Sequence, residues 1–113
     1  MTQDEILNMP AGRKMNQLIW WKIFDMEPTP PNNDMALLPD FSGEVAPAFS
    51  VIEKIKNEWD AQIQTGREYP DYPGQSFGCR LHNRKEPRIC FCLGDTAPLA
   101  ICRAALLAVI GGV

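Results

Sequence analysis

Residues 76–93, SFGCRLHNRKEPRICFCL, decide the fold. Apolar and polar side chains alternate from Ser76 to His82 and again from Arg88 to Leu93, which is the period of a strand with one buried face. Residues 83–87, between the two runs, are polar and have the length of a hairpin loop. The stretch therefore predicts an antiparallel β-hairpin.

An apolar helix is predicted directly after the hairpin. Asp95 or Thr96 is suited to cap its first turn, and Pro98 fits that turn because the first N–H groups of a helix have no intrahelical partner. Residues 99–109 are apolar on nearly every side, which indicates burial on more than one face. Glycines at 111–112 end the helix.

Helical patterns also precede the hairpin. Thr2 and Glu5 have the spacing of a capping box, and residues 11–24 carry an amphipathic helical pattern. A second such pattern runs from 43 to about 59, with Ser42 as its expected N-cap. Residues 61–65 alternate and form a candidate strand, while 25–39 is predicted to be an irregular, Pro-rich loop.

This order of elements predicts the fold class. Two helices, a small, mainly antiparallel sheet and a final helix suit an α+β fold, arranged as a three-layer alpha-beta-alpha sandwich. The length of 113 residues suits one domain, and we assign residues 1–113 to it.

Charge and composition exclude several classes of protein. Eleven Lys and Arg stand against 14 Asp and Glu, a net charge of −3, which disfavours a sequence-independent nucleic-acid binder. The N-terminus carries acids where a signal peptide needs positive charge. Residues 97–113, the longest apolar stretch, are interrupted by Arg103 and fall short of the ~20 residues of a membrane helix. We therefore expect a cytoplasmic protein with no membrane partner.

The cysteines and the single histidine raise the question of a metal site. Cys79, His82, Cys90 and Cys92 are ligand types for zinc on one hairpin. An offset of three places Cys79 and His82 on opposite faces of a strand, and C-x-C is poor spacing for one tetrahedral ion. We therefore predict no metal, no cofactor and no catalytic residue, with metal binding by this hairpin as an alternative.

A basic cluster on the hairpin suggests a second alternative. The candidate contacts for an anion or a nucleic acid are Arg80, Arg84, Lys85 and Arg88. Charges at a hairpin tip also serve to keep an edge strand from pairing. Nucleic-acid binding is therefore the weaker interpretation.

Two adjacent tryptophans are the candidate protein-interaction residues. Trp20 and Trp21 lie about 100° apart on a helix, so only one of them can enter the core. An exposed aromatic side chain is typical of protein interfaces. The equal alternative is that the loop at 25–39 folds over the second tryptophan.

Three pieces of the sequence resemble the phage ABA sandwich domain family of small phage and prophage proteins. They are residues 1–19, MTQDEILNMPAGRKMNQLI, residues 39–42, PDFS, and residues 95–106, DTAPLAICRAAL. The resemblance implies an alpha-beta-alpha sandwich and implies no activity.

We therefore expect a phage or prophage protein in the bacterial host cell that is not an enzyme. It is expected to act as an accessory factor by binding a host or phage protein. Self-association is a further expectation, because a small sheet alone would not cover so apolar a last helix.

Overall fold

The predicted hairpin forms two strands of a three-stranded antiparallel sheet. A computed structural model describes residues 2–26, 38–65 and 73–111. In chain order the strands are β1 (Trp59–Gln64), β2 (Phe77–Asn83) and β3 (Ile89–Gly94). Strand β2 lies in the centre, so the candidate strand at 61–65 is confirmed as its second neighbour.

The register of the sheet separates an apolar face from a polar one. Cys79 lies opposite Cys92, and Leu81 lies opposite Cys90, so these side chains share the face that packs into the core. Arg80 and His82 lie on the other face and are exposed. The alternation therefore assigns the faces of β2 correctly and those of β3 wrongly: Cys90 and Cys92 face the core, whereas Ile89, an apolar residue of the pattern, is 54% exposed beside His82.

The last helix is the centre of the molecule. Helix α4 (Ala97–Leu106) contacts β2 and β3 on one side and the three N-terminal helices on the other. It continues as a single π-helical turn, Leu107–Gly111. Thr96, one of the two predicted caps, accepts a hydrogen bond from the Leu99 N–H. No helix in the part of the chain that the structure describes is both long and apolar enough to cross a membrane.

Helix α1 begins as predicted, and α2 begins two residues later than its pattern indicated. Helix α1 (Gln3–Asn8) starts with the full capping box, in which the Thr2 hydroxyl accepts from the Glu5 N–H and the Glu5 carboxylate accepts from the Thr2 N–H. Helix α2 (Arg13–Lys22) buries Met15 and Ile19 on its apolar face. The Pro-rich loop predicted at 25–39 falls mostly outside the described residues.

The helix predicted at 43–59 is shorter than the sequence pattern indicated. Helix α3 (Val45–Ile55) begins after Glu44, and Trp59 is the first residue of β1 rather than part of the helix. The apolar spacing was misleading because Trp59 is buried in a strand, where its side chain serves the same core. Ser42 does not cap the helix, since its hydroxyl is used elsewhere.

Helices pack against a small antiparallel sheet, so the predicted α+β fold class is confirmed.

Candidate functional site

The two tryptophans at the end of α2 have different environments. Trp20 is half-buried and its ring lies 5.8 Å from that of Phe24 and 6.3 Å from that of Phe41, measured between centroids. Trp21 is 43% exposed, with the Lys22 ammonium 3.8 Å from its ring centroid. One tryptophan therefore enters an aromatic stack and the other faces outward.

Further large apolar side chains are exposed just after α2 and on α3. Met26, whose N–H donates to the Trp20 carbonyl, is exposed just after the end of α2. On α3, Val45 and Phe49 are about half exposed and lie one turn apart on the same face. Phe41, which belongs to the stack, precedes Val45 by four residues.

The basic residues of the hairpin do not form one patch. Arg84 is paired with Asp60, with Nη2 and Oδ1 2.6 Å apart, and Arg88 donates to the Ala108 carbonyl at 2.9 Å. Arg88 also lies over the Trp59 ring on the core face, whereas Arg80 lies over Phe91 on the opposite face.

Lys85 remains exposed in the turn, where its backbone N–H donates to the Asn83 side chain. The four residues are thus distributed over different surfaces.

The thiols of the hairpin are buried in the core and His82 is not with them. Burial raises the pKa of Cys79 and of Cys92 to about 12, so both remain protonated at neutral pH. His82 lies on the exposed face of the sheet. Among the described residues, no three His, Cys, Asp or Glu side chains are placed to hold a metal ion.

A buried polar network joins the segment before α3 to helix α2. The Asn16 Oδ1 accepts from the Ser42 N–H at 2.9 Å and from the Ser42 hydroxyl at 2.7 Å, while its Nδ2 donates to Asp40. The Ser42 hydroxyl oxygen also accepts from the Gly12 N–H. The serine that the sequence suggested as a helix cap is therefore a tertiary contact.

Arg103 is a charged side chain whose buried, hydrogen-bonded position was not predicted from the sequence. It interrupts the apolar helix α4, is only 8% exposed, and donates to three neutral acceptors. Nε donates to the Met9 carbonyl at 3.1 Å, and Nη1 donates to the Leu93 carbonyl at 2.9 Å and to Gln75 Oε1 at 3.2 Å. A lone charge in an otherwise apolar helix was the signal that could have identified it.

Arg103 lines a cleft of about 600 Å³. One wall is a stripe of α4 and its preceding turn, on which Asp95, Leu99 and Arg103 follow one another at intervals of four residues. Two short segments, 10–11 and 73–75, form the rest of its lining. The cleft thus combines apolar walls with one cationic and one anionic side chain.

Comparisons with known proteins agree with this architecture. A crystal structure of a phage protein from Bacillus cereus ATCC 14579 is similar, with a TM-score of 0.66 and 24% sequence identity over 90% of this chain and 92% of that one. At this identity the likeness shows the fold. No match was found among curated proteins.

The family model of the phage ABA sandwich domain matches residues 16–106. The match covers most of the chain and includes the Asn16–Ser42 network, the whole sheet and Arg103. The protein therefore belongs to the phage ABA sandwich domain family.

Proposed function

We propose that this protein is a non-enzymatic phage accessory factor that binds another protein in the cytoplasm of the bacterial host. The observation that carries the proposal is the exposure of Trp21 beside the aromatic stack. Large apolar side chains at a surface are typical of the centres of protein interfaces, where Trp contributes most per residue. The family is one of phage proteins, which supports a role in the infected cell.

The environment of Trp21 favours a contact role over a structural one. Its neighbour Trp20 already fills the aromatic stack with Phe24 and Phe41. Trp21 adds no ring contact of its own among the described residues, and its recorded contact is with the flexible ammonium group of Lys22. Val45 and Phe49 are further exposed apolar side chains, on α3.

The cysteines support the proposed location. All four are free thiols buried in the core, Cys79, Cys90, Cys92 and Cys102. A core built on reduced thiols suits a reducing compartment.

Site-specific photo-crosslinking in phage-carrying host cells tests the proposal. A photoreactive phenylalanine analogue at Trp21 is expected to give a discrete, light-dependent adduct. The matched control is the same analogue at Val109, which is 46% exposed in the π-helical turn, away from α2 in the chain. An adduct of twice the chain mass identifies the partner as a second copy of the protein.

The substitution Trp21→Ala provides the quantitative test. It is expected to reduce capture of the crosslinked partner at least about tenfold, as loss of an interface hot spot does, with little change in stability. Equal adducts at positions 21 and 109, or none at position 21, contradict the proposal.

A further inference from the structure

The cleft beside Arg103 is separate from the surface around Trp21 and has a chemistry of its own. We propose that it binds a small apolar α-amino acid, with the ligand's carboxylate on Arg103 and its ammonium group facing Asp95. The proposal rests on the charges and donors that line the cleft and is independent of the protein-binding function.

The guanidinium of Arg103 is a buried positive charge without a direct negative partner. Its three recorded acceptors are two backbone carbonyls and a side-chain amide, all of them neutral. No carboxylate of the described residues lies within 4.0 Å of it. Because arginine stays protonated even where burial lowers its pKa, a desolvated cation of this kind favours an anion in the cleft.

Two unused donors are available for a carboxylate. Nη2 of Arg103 donates to none of the described residues, while Nε and Nη1 hold the group in place. Gln75 Oε1 must face the guanidinium, since arginine has no acceptor, so the Gln75 NH₂ group is directed away from it. Both residues line the cleft.

Asp95 supplies the opposite charge at a distance that leaves room for a ligand. It lies beyond the 4.0 Å ion-pair distance of Arg103, and both residues line the same cleft. Arg103 also bonds to Leu93, two residues before Asp95. A ligand with a carboxylate and an ammonium group on the same carbon atom complements this pair, whereas Asp95 repels a polyanion such as phosphate.

The walls of the cleft favour an apolar side chain on the ligand. Leu99 and the rings of Pro10 and Pro73 contribute its apolar surface. The volume of about 600 Å³ lies within the range of small-molecule sites and exceeds what one amino acid occupies. We therefore expect weak binding, with Kd on the order of 1 mM.

NMR titration of the ¹⁵N-labelled full chain tests the proposal with L-leucine as the probe. Saturable shifts are expected at the amides of Gly74, Gln75, Leu99 and Arg103. L-leucinamide, which lacks the carboxylate, is expected to bind at least about tenfold more weakly, because it loses a charge-assisted hydrogen bond. The absence of saturable shifts with L-leucine, equal binding of L-leucinamide, or tighter binding of inorganic phosphate overturns the proposal.

A second test substitutes Asp95 rather than Arg103. The hydrogen bonds of Arg103 also hold the fold together, so an Arg103 variant would not separate loss of binding from loss of folding. Asp95→Asn is expected to weaken L-leucine binding about threefold and to leave binding of N-acetyl-L-leucine, which has no ammonium group, unchanged. Glu53→Gln, at an exposed position of α3, is the matched control and should leave both affinities unchanged. Equal effects of the two substitutions on L-leucine binding also overturn the proposal.

Discussion

Asn16 shows how much one buried amide contributes to this fold. Its carbonyl oxygen accepts both the N–H and the hydroxyl of Ser42, and its NH₂ donates to Asp40. These bonds connect α2 to a segment 26 residues further along the chain. No buried side-chain polar atom of the described residues lacks a partner, so this network is complete and any truncation leaves a donor unsatisfied.

Asn16→Ala is therefore expected to destabilise the protein by about 3 kcal/mol, because the buried Ser42 N–H loses its acceptor and the Ser42 hydroxyl keeps only a long contact with the Gly12 carbonyl, at 3.4 Å. Urea denaturation followed by circular dichroism measures the change. The control is Asn8→Ala on α1, an exposed side chain that bonds to the Asp4 carbonyl, for which we expect a change within about 0.5 kcal/mol. Similar midpoints for the two variants would show that the network contributes little.

The sequence predicts the environment of a single residue where the geometry of its own helix or strand is enough to determine it. The angular separation of Trp20 and Trp21 on a helix required different environments, and they have them. It did not predict the partner of Ser42 or of Arg103, because each partner lies on an element distant in sequence. A serine before a helix has a local use as a cap, and nothing local indicates that a tertiary contact replaces it.

Individual elements were predicted best where periodicity and local chemistry agree. Strands β2 and β3 and the capping box of α1 all combine the two signals, and each is present. The predicted helix at 43–59 was too long because apolar residues at helical spacing continue as far as Trp59. In the structure, Trp59 is the first residue of strand β1. Tertiary packing thus overrode a helical pattern at the junction of two elements.

Strand β3 and helix α4 approach each other closely at Gly94. A methyl group on Gly94 would lie 2.8 Å from the Ala100 N and 3.1 Å from the Thr96 O, the two atoms that form the first hydrogen bond of α4. Both are backbone atoms and cannot rotate away. Only a residue without a side chain lets the strand turn so directly into the helix.

Gly94→Ala is expected to destabilise the protein by about 2 kcal/mol, since the added carbon forces the first turn of α4 outward. The sign is informative, because Gly→Ala at an unstrained position normally stabilises by about 0.4–1 kcal/mol through the unfolded state. Thermal unfolding by calorimetry measures it. A variant at least as stable as the natural protein would contradict the close approach.

At the scale of the whole molecule, α4 explains why so apolar a helix exists in so small a protein. The sheet covers one side and α1, α2 and α3 cover the other, so its burial is satisfied within one chain. Self-association remains a prediction, but the composition of this helix no longer requires it. A central helix of this kind also makes the sheet and the N-terminal helices depend on each other for their burial.

The four cysteines report on that dependence, because they lie in the core on β2, β3 and α4. A thiol reagent reaches them only when the core opens, and the protonated state that burial favours makes them unreactive until then. If opening is global, the free energy obtained from labelling rates should equal that obtained from urea denaturation.

Labelling with N-ethylmaleimide under native conditions, followed by mass spectrometry of the intact chain, is expected to show two populations, unlabelled and fully labelled. A maleimide on one buried thiol prevents the core from repacking, so the remaining thiols of the same molecule react at once. Accumulation of chains labelled only at Cys102 would mean that α4 separates from the sheet while β2 and β3 stay paired. That result would contradict a single cooperative core and would place the weakest contact of the molecule at the interface of α4 with the sheet.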